Sequence, residues 1–246
     1  MYDVCIFDLY GTLVDIHTDE EDIHVWEKLA LFYGYYGAGY EPEELKSAYR
    51  RIVDLLSGGE KRLRNDSHEA FPEIQIEKVF LRLFEKKGVD ADQKLAIHAG
   101  QFFRALSTEY IRLYDGTREM LMRLRESGKK IYLLSNAQRI FTEYEMNALG
   151  ITKYFDKIYI SSDCGCKKPD LSFFEKLISE CGVDKRRAVM VGNDGICDIL
   201  GAKRAGLAAL YVRSNISPEE ELPAADHVLP AMDMKEISRI LLGETC

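Results

Sequence analysis

Val4-Cys5-Ile6-Phe7-Asp8-Leu9-Tyr10-Gly11-Thr12 passes from an apolar run to a polar turn with a carboxylate at the junction. Val4 to Phe7 is continuous and apolar, so it reads as a buried strand and not as a one-sided amphipathic one. Gly11 and Thr12 form a tight polar turn able to offer backbone N–H groups to an anion. Asp8 therefore stands at the C-terminal end of a buried strand, where open α/β sheets place their ligands.

Further short apolar runs lie at 130–134, 157–160, 188–191 and 209–212, and each reads as a strand. Amphipathic stretches between them, at 118–126, 140–148, 171–180 and 196–205, read as helices. Strand and helix alternate, which predicts an α/β fold built on a parallel sheet. The pattern breaks between Asp15 and about Tyr110. There Trp26, Leu29, Ala30 and Phe32, then Leu45, Ala48, Ile52 and Leu55, then Val79, Phe80, Leu83 and Phe84 recur at helical spacing, with almost no strand signal. The stretch reads as an inserted all-helical domain spanning 16–110, with 1–15 and 111–246 as the sheet core. Thr18-Asp19-Glu20-Glu21 reads as the capping box of the first inserted helix, and Asp15 to Asp19 as a hinge and helix start in preference to a metal site.

With 246 residues and 46% hydrophobic content, the chain has enough apolar surface for a large core and a second, smaller one. A formal net charge of −8 argues against a nucleic-acid backbone or an anionic membrane as the main partner, while a cleft can still carry the opposite sign for a small anion. No apolar run approaches bilayer-spanning length, and the N-terminal run reads as a strand and not as a signal peptide. The six cysteines are mostly isolated, which suits reduced thiols and a cytoplasmic location; Cys164-Gly165-Cys166, the single close pair, reads as a loop and not as half of a metal site. The tyrosine-rich Tyr33–Tyr40 segment reads as a helix end whose rings pack on neighbouring helices. Gly58–Arg64 reads as a solvated basic loop.

Three more polar sequences close predicted strands: Ser135-Asn136, Lys168-Pro169-Asp170, and Gly192-Asn193-Asp194 with Asp198 beyond it. Alone, each is an ordinary helix cap or turn. In register with Asp8, each at the end of a strand, they resemble the four motifs of the haloacid dehalogenase superfamily of hydrolases. The resemblance covers the whole core, and the insertion is similar to that family's helical cap. It implies a Rossmann-like core with an inserted cap domain.

The resemblance also implies roles. Asp8 is the expected nucleophile. Thr12, Ser135 and Lys168 are expected to hold the oxygens of a transferring phosphoryl group, helped by Gly11 and the Asn136 backbone. Mg²⁺ is the expected cofactor, on Asp8, the Tyr10 carbonyl and motif-four residues drawn from Asn193, Asp194 and Asp198. Asp194 is preferred over Asn193 because Mg²⁺ favours an anionic oxygen. The expected partner is a small phosphorylated metabolite.

Tyr10 departs from the pattern, for it stands where most of these hydrolases carry a second, general-acid aspartate. A phosphatase without that acid is expected to be slow or limited to good leaving groups, such as acyl or aryl phosphates. The same tyrosine occurs in the haloacid dehalogenases proper, where the aspartate attacks carbon and halide leaves without a proton or a metal. Two features oppose that alternative: Asp194 and Asp198 repel a carboxylate substrate, and Trp26 is followed by Glu27 where the dehalogenase has an arginine. A non-catalytic binding protein on the same fold is the third reading.

Overall fold

The structure is a computed structural model that describes residues 2–58, 73–219 and 223–244. Along the chain, β1 (Val4–Phe7) and β2 (Val14–Thr18) precede four helices, α1 (Ile23–Tyr35), α2 (Pro42–Leu56), α3 (Glu77–Lys86) and α4 (Gln93–Ser107). Then come β3 (Thr108–Leu113), α5 (Thr117–Glu126), β4 (Lys130–Ser135), α6 (Arg139–Ala148), β5 (Lys157–Ile160), the short α7 (Ser161–Cys164) and α8 (Leu171–Cys181). The chain continues through β6 (Ala188–Gly192), α9 (Gly201–Arg204), β7 (Ala208–Val212), β8 (His227–Leu229) and α10 (Met234–Leu242).

Six strands form one parallel sheet in the order β5-β4-β1-β6-β7-β8. β1 is central because its residues pair on both sides, Val4–Phe7 with Lys130–Leu133 and with Ala188–Val191. Alternate side chains of a strand face opposite ways. Cys5 and Phe7 accordingly join Leu121, Leu124, Ile237 and Leu241 of α5 and α10, while Ile6 joins Phe173, Phe174 and Leu177 of α8. Burial on both faces explains why these strands read as unbroken apolar runs.

The four helices between β2 and β3 enclose their own apolar cluster. Trp26, Leu29 and Tyr33 of α1 meet Leu45 of α2, Phe80 and Phe84 of α3, and Ala99 and Phe103 of α4. Ile140 and Phe141 of α6 belong to the same cluster, so the helical group rests on α6. The Tyr33–Tyr40 segment is a helix end followed by a turn. Tyr33 Oη donates to Phe80 O at 2.9 Å and Tyr40 Oη to Leu83 O at 2.6 Å, while Tyr35 is exposed.

Two sequence expectations are corrected at the entry to this group. Asp15 to Thr18 is not a helix start, because β2 pairs antiparallel with β3, Asp15 opposite Arg112 and Ile16 opposite Ile111. The expected divisions at 15/16 and 110/111 cut this ribbon between paired positions. β3 is largely exposed and its partner lies far away in sequence, so neither an apolar run nor a local pattern announced it. Thr18 is not the cap of α1 either. Asp19 Oδ1 accepts the amides of Glu21 and Asp22 in a turn, and Asp22 caps the helix by accepting from the His24 amide at 3.0 Å. Of the Gly58–Arg64 loop, everything after Gly58 lies outside the described residues. Among the described residues no helix is long and apolar enough to cross a membrane, and Cys5, Cys164, Cys166, Cys181 and Cys197 are free thiols.

Candidate active site

The parallel sheet delivers Asp8, Ser135 and Asn193 to one end, Ser135 as the last residue of β4 and Asp8 and Asn193 just past β1 and β6. The Asp8 amide donates to Val191 O at 3.0 Å, which carries the sheet's bonding one residue beyond β1 and fixes the base of the side chain. Lys168 is buried to 1% exposure, and its ammonium lies 2.7 Å from Asp8 Oδ1 and 2.7 Å from Asp198 Oδ1. Burial alone would strip its proton, but the Asp198 and Asp8 carboxylates outweigh burial and hold it charged, well above its usual range. Ser135 Oγ also donates to Asp8 Oδ1, at 3.3 Å. Among the described residues the other oxygen, Oδ2, has only the Thr12 hydroxyl, at 3.4 Å, and that hydroxyl shares its single proton with Asn193 Oδ1 at 3.3 Å. The two carboxylate oxygens of Asp8 are thus unequal: one is anchored, the other open.

Asn136 acts through its side chain. Its Nδ2 donates to Lys168 O at 2.9 Å and its Oδ1 accepts from the Lys168 amide at 2.8 Å, a reciprocal pair that sets the backbone from which Lys168 reaches Asp8. The predicted helix at 196–205 is broken into a π-helical turn at 195–200 and the short α9. Asp194 caps that turn, its Oδ1 accepting from Ile196 N at 2.9 Å and Cys197 N at 2.7 Å; the wide turn points Asp198 inward. Asp198 Oδ2 accepts the Asp194 amide at 3.0 Å, and burial pushes this carboxyl up against the pull of Lys168. A Cβ on Gly192 would sit 2.2 Å from Asp198 Oδ2, so the approach of Asp198 requires glycine there.

The turn after Asp8 corrects a further expectation. The Gly11 amide is bonded to Val14 O at 2.8 Å and the Thr12 amide to Leu9 O at 3.3 Å, so neither points at a ligand. Such a short loop closes on itself to hold Gly11 at φ 83°. Among the described residues, the Leu9 and Tyr10 amides have no backbone acceptor.

A cavity of about 220 Å³ opens over these groups, lined by Asp8, Tyr10, Asn136, Lys168, Asn193, Asp194, Cys197 and Asp198 with Ile216 and Pro218. The last two belong to the loop after β7, which nothing in the sequence marked as part of a site. Tyr10 is among the lining residues, but its hydroxyl turns to α6, where it donates to Glu145 and lies 3.0 Å from Thr142 Oγ1. Sequence reading missed both partners. Their signal was a polar pair at i, i+3 beside the apolar Ile140-Phe141 of a helix.

Among the described residues, no three His, Cys, Asp or Glu side chains gather into a metal cage. The donor set nevertheless fits one kind of ion. Asp8 and Asp194 line the same cavity as the Tyr10 residue, whose carbonyl accepts none of the bonds that close the turn. Two carboxylates and a carbonyl, all hard oxygens, suit Mg²⁺, which keeps several waters and uses few protein ligands.

Comparison with known proteins agrees with this architecture. The glyceraldehyde 3-phosphate phosphatase of Methanothermobacter thermautotrophicus is 34% identical over 188 residues, covering 76% of this chain and 75% of that protein. A 2-haloacid dehalogenase from Pseudomonas syringae pv. Tomato DC3000 shares the fold with a TM-score of 0.65 at 22% identity over the full length of both chains. A HAD phosphatase from Thermococcus onnurineus does so with a TM-score of 0.60 at 21% identity, over 99% of this chain and all of that one. At such identities the structural likeness speaks for fold and not for chemistry, since one fold serves several reactions. The family model for haloacid dehalogenase-like hydrolases matches residues 2–206, and with the Asp8–Lys168–Asp198 cluster at the end of its sheet this chain belongs to that family of hydrolases.

Proposed function

We propose that this hydrolase is a phosphatase acting on a small phosphorylated metabolite through an aspartyl-phosphate at Asp8. The observation that carries the reading is the inequality of the Asp8 oxygens: Oδ1 is held by Lys168 and Ser135, which leaves Oδ2 to attack. In the first step Oδ2 bonds to phosphorus and the phosphorus–oxygen bond to the leaving group breaks. In the second, water attacks the same phosphorus, the bond to Asp8 breaks, and inorganic phosphate departs. Lys168, Ser135 and Thr12 lie around Asp8 where phosphoryl oxygens would approach, the ammonium by charge and the hydroxyls as donors. The phosphatase name of the Methanothermobacter relative supports the same reaction class.

Mg²⁺ is the cofactor of this reading, with Asp8, the Tyr10 carbonyl and Asp194 as its holders. When bound, it supplies positive charge that lets an anionic nucleophile meet an anionic phosphoryl group. Asn193 and Asp198 serve beside it: Asn193 against Thr12 and Asp198 on Lys168.

No acid side chain at position 10 stands over the leaving group, since the Tyr10 hydroxyl is engaged by Glu145. Leaving groups that depart without a proton are therefore favoured. The same observation favours a second reading, dehalogenation of a 2-haloacid by attack of Asp8 on carbon. A panel of alkyl, aryl and acyl phosphates and 2-haloacids, each with Mg²⁺ and with EDTA, separates the two. The phosphatase reading expects metal-dependent release of phosphate, fastest from aryl and acyl esters. Turnover of a 2-haloacid in EDTA with no phosphate release anywhere refutes it.

A further inference from the structure

Tyr10 stands two residues from the nucleophile, yet its polar end is bonded outside the catalytic cluster. Its hydroxyl donates to Glu145, and Thr142 Oγ1 lies 3.0 Å away; both partners are on α6. The second oxygen of Glu145 accepts from Arg104 Nε at 2.6 Å, on α4. The Arg104 guanidinium lies over the rings of Phe141, at 5.3 Å, and Tyr10, at 5.8 Å. The Glu145 and Arg104 side chains are 13% and 17% exposed, so the carboxylate is shielded and its two oxygens each have a fixed task. Seating of α4 on α6 is close: a Cβ on Gly100 would sit 2.6 Å from Ile140 Cδ1.

The turn is also held from outside: Tyr114 N and Thr117 Oγ1 donate to Leu13 O at 3.1 and 3.3 Å, and Thr12 Oγ1 donates to Asn193 Oδ1 at 3.3 Å. Its internal bonds are three short contacts to Leu9 O and one to Val14 O. Among the described residues, the Tyr10 side chain is the hydrogen-bonded tether from this turn to α6.

We propose that Glu145 is a positioning residue, which anchors the Tyr10 hydroxyl on α6 and thereby fixes the turn that carries Asp8, with Arg104 holding Glu145 in place. It deepens the phosphatase reading in its kinetic consequence, but its structural consequence stands apart from the reaction class. Glu145 is not itself a lining residue of the cavity over Asp8; its effect passes through the phenol of Tyr10, a residue that does line it.

Four variants test this: Glu145→Ala, Glu145→Gln, Tyr10→Phe and the double variant Tyr10→Phe/Glu145→Ala. Two quantities are read, hydrogen exchange of the Gly11, Thr12 and Leu13 amides, and kcat and KM on p-nitrophenyl phosphate with Mg²⁺ and on 2-chloropropionate. Glu145→Ala and Tyr10→Phe are each expected to speed exchange of the turn about tenfold by freeing a local opening. Each is expected to lower kcat about tenfold with KM within about twofold, because the nucleophile is misplaced and the substrate contacts are not. The double variant is expected to lose no more than Glu145→Ala, since both single changes remove one shared contact. Glu145→Gln keeps an acceptor for the phenol while losing the ion pair, so it restores most of the exchange protection and kcat even if it melts lower. Additive losses, a Gln variant as impaired as the Ala variant in turn exchange, or a Glu145→Ala variant changed in melting temperature alone would each overturn the proposal. Should Glu145→Ala fail to fold, Tyr10→Phe and Glu145→Gln carry the same comparison. A wild type without phosphatase activity counts against the proposed reaction, and turn exchange then decides this inference by itself.

Discussion

Gly11→Ala puts the joint between the nucleophile turn and the motif-four loop under direct strain. Gly11 has φ 83°, and a Cβ built there would lie 2.2 Å from Asn193 Nδ2, 2.6 Å from Cγ and 2.9 Å from Oδ1. The backbone term costs about 1–2 kcal/mol, the usual penalty for an L-residue in the left-handed region. Asn193 is buried to 6% exposure, so it cannot swing away without losing its contact to Thr12, worth about 1 kcal/mol. Together these destabilise by about 2–3 kcal/mol, and at about 2–4 °C per kcal/mol for a chain of this size the melting temperature falls by about 4–12 °C. Displacing Asn193 also releases the Thr12 hydroxyl beside Asp8 Oδ2, and misplacement of that order lowers kcat by about 10²-fold. Asn193→Ala removes the clashing atoms, so Gly11→Ala/Asn193→Ala should be more stable than the sum of the single changes by about 1 kcal/mol, leaving the backbone penalty. Thermal melts and steady-state kinetics of the four proteins complete the cycle. A Gly11→Ala protein that melts with the wild type, or two losses that simply add, would refute the contact between these loops.

The other expectations are shorter. Asp8→Asn should abolish turnover by at least about 10³-fold with an unchanged melting curve, since the amide is nearly isosteric and a poor nucleophile; activity that survives it sinks the covalent route. Tyr10→Asp should raise the ratio of alkyl to aryl phosphate turnover, because it restores, two residues from Asp8, a carboxyl that can protonate a departing alkoxide. It should also destabilise by about 2–4 kcal/mol for the lost ring, and an unchanged ratio would refute the acid argument. Asp15, bonded by Asn215 and Arg112, has its carboxyl held below the usual range despite its burial. A folded pKa depressed in this way stabilises above the unfolded value near ~4 and is lost as pH falls through the folded value. Asp15→Asn should therefore melt lower at pH 7, with the gap closing in melts taken below about pH 4; a gap that widens on acidification would show the sign to be wrong.

What the sequence disclosed follows from how far apart the interacting residues lie. β1, β4, β5, β6 and β7 are each buried on both faces, so local composition names them within about one residue. The four polar sequences are equally local, because each one lies in a short turn after a strand or, for Lys168, after the short α7; the fold then brings Asp8 and Lys168 together from positions 160 residues apart. β2 and β3 escaped because their pairing spans the whole insertion and their exposed positions carry charged side chains such as Arg112. Glu145 escaped for a related reason. A glutamate on a helix is ordinarily a solvated residue, and nothing near it in sequence reveals that Tyr10 and Arg104 meet there. The π-helical turn was hidden by a residue pattern that fits an α-helix, while the bond from Lys168 to Asp198 is what gives the wider turn its purpose.

Charge in the cavity bears on the reaction more directly than position 10 does. Asp8, Asp194 and Asp198 bring three carboxyls to a space where, among the described residues, Lys168 is the one lining cation, and Lys168 is already in contact with two of them. A like charge placed 4 Å from one of these carboxylates costs about 4 kcal/mol at an effective dielectric near 20. A haloacid brings one negative charge and a phosphate monoester nearly two, so both are opposed, the phosphate more strongly. Burial relieves part of this by raising the Asp198 carboxyl, but that relief is the same for either substrate. The difference lies in what can offset it. A divalent cation held by Asp8 and Asp194 would turn the excess of carboxylates from an obstacle into a binding site, and the gain would be larger for the more highly charged substrate. A carbon-directed reaction would have no use for Asp194 beyond capping Ile196 and Cys197, a task that asparagine or serine performs as well. Asp194→Asn thus separates the readings: it keeps the cap, removes the charge, and should weaken Mg²⁺-dependent phosphate release while leaving any metal-free dehalogenation intact or improved.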